Sequence, residues 1–232
     1  MSDAACRARL GIVTIGQSPR SDLHDDLATL LDASIECLER GALDALTLEQ
    51  IENRYPVSDQ PQVLVSRMRD GRQVTIAEPD LEPLLDTAIR IMASDDGVDA
   101  IVVLCTGELP DYRHLGLPVL SPKRLVRHGI QALFPGGRLL VMSPEPRQMA
   151  NTRTRWEAAG FSVETLSASP YGDPAELERA ARQAAEMHGD LLYLDCMGYT
   201  LAHRRRIAAL SGKRTVTPRQ LVFGAANLLL AV

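Results

Sequence analysis

Two short stretches of this chain are alike, and their likeness limits the folds open to it. IVVLCTGE, Ile101 to Glu108, and LLYLDCMGY, Leu191 to Tyr199, each carry an apolar run to a cysteine, with glycine and polar residues close behind. Four or five apolar residues bounded by turn signals read as a strand buried on both faces of a parallel sheet. In open α/β sheets, ligands bind beyond the carboxyl ends of such strands. Cys105 and Cys196 therefore stand where a reactive group belongs. One buried cysteine is more simply a small hydrophobe. Two, in matching contexts, point to chemistry.

The match extends outward from the cysteines. PVLSPKRLV, Pro118 to Val126, aligns with RTVTPRQLV, Arg214 to Val222. The two share Pro122/Pro218, Leu125/Leu221 and Val126/Val222, and exchange like for like at Ser121/Thr217 and Lys123/Arg219. Upstream, IVTIGQSPR, Ile12 to Arg20, resembles LLVMSPEPR, Leu139 to Arg147. Each half thus opens with strand–Pro–Arg and closes with strand–Cys, loop, Ser/Thr–Pro–basic. The expected fold is α/β: two lobes related by a pseudo-twofold axis, each a mostly parallel sheet flanked by helices, with a cysteine from each facing the other. Residues 1–120 are expected to form the first lobe and 121–217 the second, with the final helix, 218–232, packing back on the first.

The strings TIGQSPR (Thr14 to Arg20), LCTGE (Leu104 to Glu108) and LDCMGY (Leu194 to Tyr199) resemble the AroM family over essentially the whole chain. The two-lobe layout is similar to the aspartate/glutamate racemase superfamily, whose members hold a substrate between two α/β lobes with one cysteine from each. That resemblance implies cofactor-independent racemases, along with cis–trans isomerases and decarboxylases that keep a cysteine. Amino-acid racemases usually follow the second cysteine with Thr-His, whereas Met197 and Gly198 follow Cys196 here. The departure argues against an ordinary amino-acid substrate.

Within this frame the elements can be placed. Ser18, with Pro19 behind it, reads as the cap of a helix running to about Leu31. A strand is expected over Ser34 to Leu38, and Thr47 caps the next helix. Asp70-Gly71, flanked by Val63, Val65, Val74 and Ile76, predicts a hairpin that the second half lacks. Helices are expected over Pro79 to Met92, Glu145 to Ala159, Asp173 to Met187 and Leu201 to Leu210, alternating with strands in the manner of a parallel sheet.

Proton transfer at a carbon acid needs a base on one face and an acid on the other, and a thiol pair suits this if one member is ionised. Cys105 and Cys196 are the candidate acid/base pair. The turns at Thr106-Gly107 and Met197-Gly198 offer backbone N–H groups to an anionic oxygen. Gly16, Ser18, Arg20, Thr106, Gly107, Ser143, Gly198 and Tyr199 are the candidate substrate-binding residues, and Arg147 is a weaker candidate beside Arg20. Strand alternation points Asp195 away from the face of its neighbour Cys196. Two other readings stay open: one cysteine serving as nucleophile in cis–trans isomerisation or decarboxylation, and a ligand-binding protein without turnover.

Composition narrows the partners. The 232 residues carry a formal net charge of −5 with both signs interspersed, which gives no footprint for nucleic acid. The one basic run, His203 to Arg206, reads as a solvated helix face. Cys6, Cys37, Cys105 and Cys196 show no CxxC spacing, so they read as free thiols in a reducing cytoplasm, with Cys6 and Cys37 structural or incidental. No secretory leader is expected, and Leu221 to Val232 falls short of the ~20 apolar residues a bilayer span needs. His114, His128, His188 and His203 form no ligand set, and no GxGxxG or P-loop occurs, so neither metal nor cofactor is expected. Trp156 sits at core spacing. A homodimer is allowed by the sequence, and no residue pattern dictates the oligomeric state.

Overall fold

The computed structural model describes residues 7–57 and 62–231; Cys6 lies outside them. The first sheet is built from β1 (Arg9–Thr14), β2 (Glu36–Gly41), β5 (Ala100–Leu104) and β6 (Val119–Leu120), in the order β2-β1-β5-β6. The second holds β7 (Arg138–Ser143), β8 (Ser162–Ser167), β9 (Leu191–Leu194) and β10 (Thr215–Val216), in the order β10-β9-β7-β8. All pairings in both are parallel, and the two orders are the same once each half is counted from its own first strand. The hairpin turning at Asp70-Gly71 is present as antiparallel β3 (Val63–Arg67) and β4 (Gln73–Ala77).

Alternation along the strands fills both faces of each sheet. In the first, Val13, Ile101 and Val103 pack with α3 (Glu78–Ser94) and the hairpin. Leu10, Ile12, Ala100, Val102 and Leu104 face α1 (His24–Leu30) and Val222, Phe223, Ala226 and Leu230 of α8 (Pro218–Leu230). In the second, Leu140, Met142, Leu192 and Leu194 meet α6 (Pro174–Glu186) and α7 (Leu201–Ser211). The opposite face takes Val126 and Ile130 of α4 (Pro122–Leu133) and Trp156 of α5 (Met149–Glu157). Each fully buried Leu or Ile in these layers contributes about 1.5–3 kcal/mol. Trp156 packs edge-on to Phe161 and Tyr193, with ring centroids 5.5 Å apart in both pairs.

Thr47 caps α2 (Leu48–Arg54) through a reciprocal capping box with Gln50. Ser18 does not cap a helix. Its N–H and hydroxyl both donate to the Asp44 carboxylate at 2.7 Å, so its oxygen has no role at a helix end. The chain after Pro19 stays irregular until a 3-10 turn at Ser21–Leu23, and α1 begins only at His24. The expected helix from Glu145 likewise opens as a 3-10 turn, Pro146–Gln148, before α5. The run His203 to Arg206 is not wholly solvated either. His203 closes a capping box with Thr200, and Arg204 Nε donates to the Thr215 carbonyl at 2.8 Å. Among the described residues no helix is long and apolar enough to cross a membrane.

Candidate functional site

Strands β5 and β9 carry Cys105 and Cys196 to equivalent positions, and the two turns repeat one hydrogen-bond pattern. Each cysteine N–H bonds the carbonyl two residues back at 2.9 Å, to Val103 and to Leu194. Each sulfur accepts an N–H from the glycine two residues on, Gly107 at 3.2 Å and Gly198 at 3.3 Å. The turns also touch, since Thr106 Oγ1 donates to the Asp195 carbonyl at 3.4 Å. A lone backbone donor does not offset the loss of water around a sulfur. Burial pushes the Cys105 thiol up to about 12 and Cys196 up to about 11. The difference follows the neighbours. Arg20 and Arg219 favour the Cys196 thiolate against the opposing charge of Asp195, whereas the leading charges on Cys105, those of Cys196, Glu78 and Asp195, all oppose ionisation.

A cavity of about 680 Å³ opens on the Cys105 side, between the hairpin and α3 on one wall and α5 on the other. Cys105, Thr106 and Gly107 line its floor with Asp195. Leu64, Glu78, Leu81, Glu82 and Leu85 form one wall; Arg147, Gln148, Asn151, Thr152 and Arg155 form the other, with Glu108 and Lys123 also on the lining. The cations here have acidic partners. Arg155 bonds Asp195 at 2.5 Å, Arg147 lies 3.3 Å from Glu145, and Lys123 pairs with Glu108. Asp195 also accepts from the Tyr193 hydroxyl at 3.0 Å, and it faces the cavity that Cys196 does not line.

The corresponding space on the Cys196 side is filled. Tyr171 lies so close over the turn that a Cβ on Gly198 would stand 2.3 Å from its hydroxyl oxygen. Arg20 donates to that hydroxyl at 3.0 Å, to both oxygens of Asp22 at 2.8 Å, and to Thr14 Oγ1 at 2.9 Å. Burial alone would lower the Arg20 pKa; the Tyr171 and Asp22 oxygens reverse this and raise it. Arg20 is thus engaged within the protein and off the cavity, while Arg147, its match in the second half, is on it. Of the other sequence candidates, Gly16 packs on the hairpin, where a Cβ would meet the Arg67 carbonyl at 2.3 Å. Ser143 is fully buried, with its hydroxyl 3.4 Å from that of Thr152, and the Tyr199 hydroxyl donates to the Ala168 carbonyl at 2.5 Å.

Glu78, Arg155, Tyr171 and the anchoring role of Arg219 stand outside the residues singled out by sequence pattern. Arg219 is fully buried and holds the Cys196 turn from behind, donating to the carbonyls of Met197 at 2.7 Å and Gly198 at 3.3 Å. Its match with Lys123 in the internal repeat was the available signal. For Tyr171 and Arg155 the sequence holds none, because both reach the site from helices and loops without a repeated motif. Among the described residues no group of three or more His, Cys, Asp or Glu is arranged to hold a metal ion.

A family model described as AroM protein matches residues 10–230. No functionally curated protein matches the chain. Among solved structures, an allantoin racemase from Pseudomonas fluorescens superposes with a TM-score of 0.61 at 17% identity, covering 95% of this chain and 90% of the other. The maleate isomerase Iso from Pseudomonas putida S16 gives 0.61 at 14% identity, with 97% and 93% covered. Arylmalonate decarboxylase gives 0.57 at 16% identity, with 96% and 92% covered. At these identities the likeness is one of fold.

Proposed function

The chain belongs to the AroM family, and from that premise and the geometry of its two cysteine turns we propose a cofactor-independent racemase or isomerase acting on a small, carboxylate-bearing carbon acid. The observation that carries this reading is the paired arrangement itself: two sulfurs on equivalent strand ends, each receiving one backbone N–H from the glycine two residues on. Structural neighbours named as an allantoin racemase, a maleate isomerase and an arylmalonate decarboxylase support the same class of chemistry. The cations Arg20 and Arg219 beside Cys196 suit it to the role of base, and the acids Glu78 and Asp195 near Cys105 suit that thiol to the role of acid. In the forward direction the Cys196 thiolate takes the proton from the substrate carbon, and the Cys105 thiol delivers its own to the opposite face. Arg147 and Arg155 are the cations nearest to hand for the substrate carboxylate. The free thiols Cys37, Cys105 and Cys196 suit a reducing cytoplasm.

One observation favours a second reading. Cys105 lines the cavity and Cys196 does not. If Tyr171 keeps its place over the Gly198 turn, Cys105 works alone, as a nucleophile for cis–trans isomerisation or as the acid that protonates a carbanion left by decarboxylation. The experiment that separates the readings is mass-spectrometric deuterium incorporation in D₂O across amino acids, hydantoins and dicarboxylates. It is run with the wild type, Cys105→Ser and Cys196→Ser. The two-cysteine scheme requires both variants to lose net inversion by at least ~10²-fold, the usual weight of an acid–base group. Full activity in Cys196→Ser establishes the single-cysteine reading instead. Binding without exchange or conversion across the panel marks a ligand-binding protein.

A further inference from the structure

We propose that Glu78 is the proton exchanger of Cys105, passing protons between bulk water and the cysteine sulfur across the Gly107 turn. The proposal rests on the reading of Cys105 as a proton-transfer group. Glu78 is the first residue of α3, directly after the hairpin that the second half lacks, so the inserted segment delivers it to the cavity. Gly107 has no side chain to keep the two groups apart. A Cβ there would stand 3.1 Å from Cys105 Sγ and 3.2 Å from Glu78 Oε1, so both atoms border one small space. Their separation is therefore at most about 6.3 Å, within the reach of one bridging water.

Glu78 is also a cavity acid without an ion pair, a position it shares only with the more exposed Glu82 one turn further along α3. The cavity cations Lys123, Arg147 and Arg155 are each paired with another carboxylate, and no described residue forms an ion pair with Glu78. It is half-buried and lines the cavity together with Cys105. The groups facing Cys105 are Glu78 from α3 and Asp195 and Cys196 from the end of β9, with Glu82, Glu108, Tyr112, Lys123, Arg147 and Arg155 further round the lining. Once Cys105 has given up its proton, its thiolate has the Gly107 N–H, while the charges that weigh most on it, those of Cys196, Glu78 and Asp195, oppose it. In the resetting step the Glu78 carboxylate takes a proton from hydronium; that new O–H bond then breaks as the S–H bond of Cys105 forms, so hydronium and thiolate become water and thiol and Glu78 returns to its carboxylate. When Cys105 is the base, the same transfer runs in reverse.

The coupling can be read without knowing the substrate. Removing a negative charge beside a thiol lowers its pKa and raises its thiolate fraction, and alkylation rate follows that fraction, damped by the weaker nucleophile. Iodoacetamide labelling of Cys105, followed peptide by peptide across pH 7 to 10 (~three decades of thiolate), is compared in the wild type, Glu78→Gln and Glu78→Asp. The expected result is several-fold faster labelling in Glu78→Gln with the profile moved to lower pH, while Glu78→Asp stays near the wild type. A profile unchanged in Glu78→Gln, or a Cys105 that no variant labels, overturns the proposal. Neither outcome depends on the deuterium-exchange result for Cys105→Ser, so the two readings fail separately.

Discussion

At Gly198 a missing side chain decides which face of Cys196 is reachable. The turn leaves no room for a methyl group, because Tyr171 Oη would lie 2.3 Å and Pro170 Cγ 2.8 Å from a Cβ there. Neither atom belongs to a freely rotating chain end, and Arg20 holds the tyrosine hydroxyl, so the clash is relieved by moving the loop. Gly198→Ala is therefore expected to cost about 1–3 kcal/mol, as overpacking does, and to expose Cys196 to iodoacetamide. Denaturant unfolding measures the first and peptide-resolved labelling the second; unchanged labelling of Cys196 shows that the tyrosine does not cover it. That Gly107 and Gly198 sit in turns beside a sulfur was legible from their place after the Cys105 and Cys196 strands. That Tyr171 fills one side and leaves the other open was not, since Tyr171 lies far along the chain from both cysteines and in no shared motif.

Helix α8 shows how an element's first turn can tolerate a charge that the helix dipole opposes. A cation at a helix N-terminus is unfavourable by about 0.3–1 kcal/mol, yet Arg219 is fully buried there. Asp26 at 2.7 Å and Asp22 at 3.1 Å compensate it, and three carbonyls, those of Asp22, Met197 and Gly198, take its remaining protons. The guanidinium thus ties α8, α1 and the Cys196 turn together. Arg219→Leu should lose about 3–5 kcal/mol, the usual result of removing one partner from a buried ion pair, and a loss below about 1 kcal/mol in urea unfolding would contradict the arrangement. The repeat exposed Arg219 as the counterpart of Lys123 but not its burial, because Lys123 meets Glu108 at the cavity whereas Arg219 meets two aspartates in the interior. The strands, the hairpin and the Thr47 cap were legible because apolar period and turn chemistry are local. The helix placed at Ser18 was misread because a distant carboxylate, Asp44, takes both of its donors.

At the scale of the whole molecule, Asp22 is where three separate parts of the chain converge. Its carboxylate meets Arg20 from the segment after β1, Arg67 from the hairpin at 3.3 Å, and Arg219 from α8. Burial would raise its pKa, but the Arg20 hydrogen bond and the charges of Arg20, Arg219 and Arg67 hold it well below the usual carboxylate range. In the unfolded chain an aspartate takes its proton near pH ~4, so between that pH and the lower folded value the unfolded state binds more protons than the native one. Stability from this cluster is then fully present above about pH 4 and lost progressively as pH falls below it. Asp22→Asn abolishes the titration and leaves three arginines around a neutral amide. It is expected to lower unfolding free energy by about 3 kcal/mol at pH 7, with the gap to the wild type narrowing steadily between pH ~4 and pH ~2. Urea melts at half-unit pH intervals check this. A gap that stays constant down the acid limb would mean that Asp22 carries no linked proton, and that the junction of α1, the hairpin and α8 is held by packing alone.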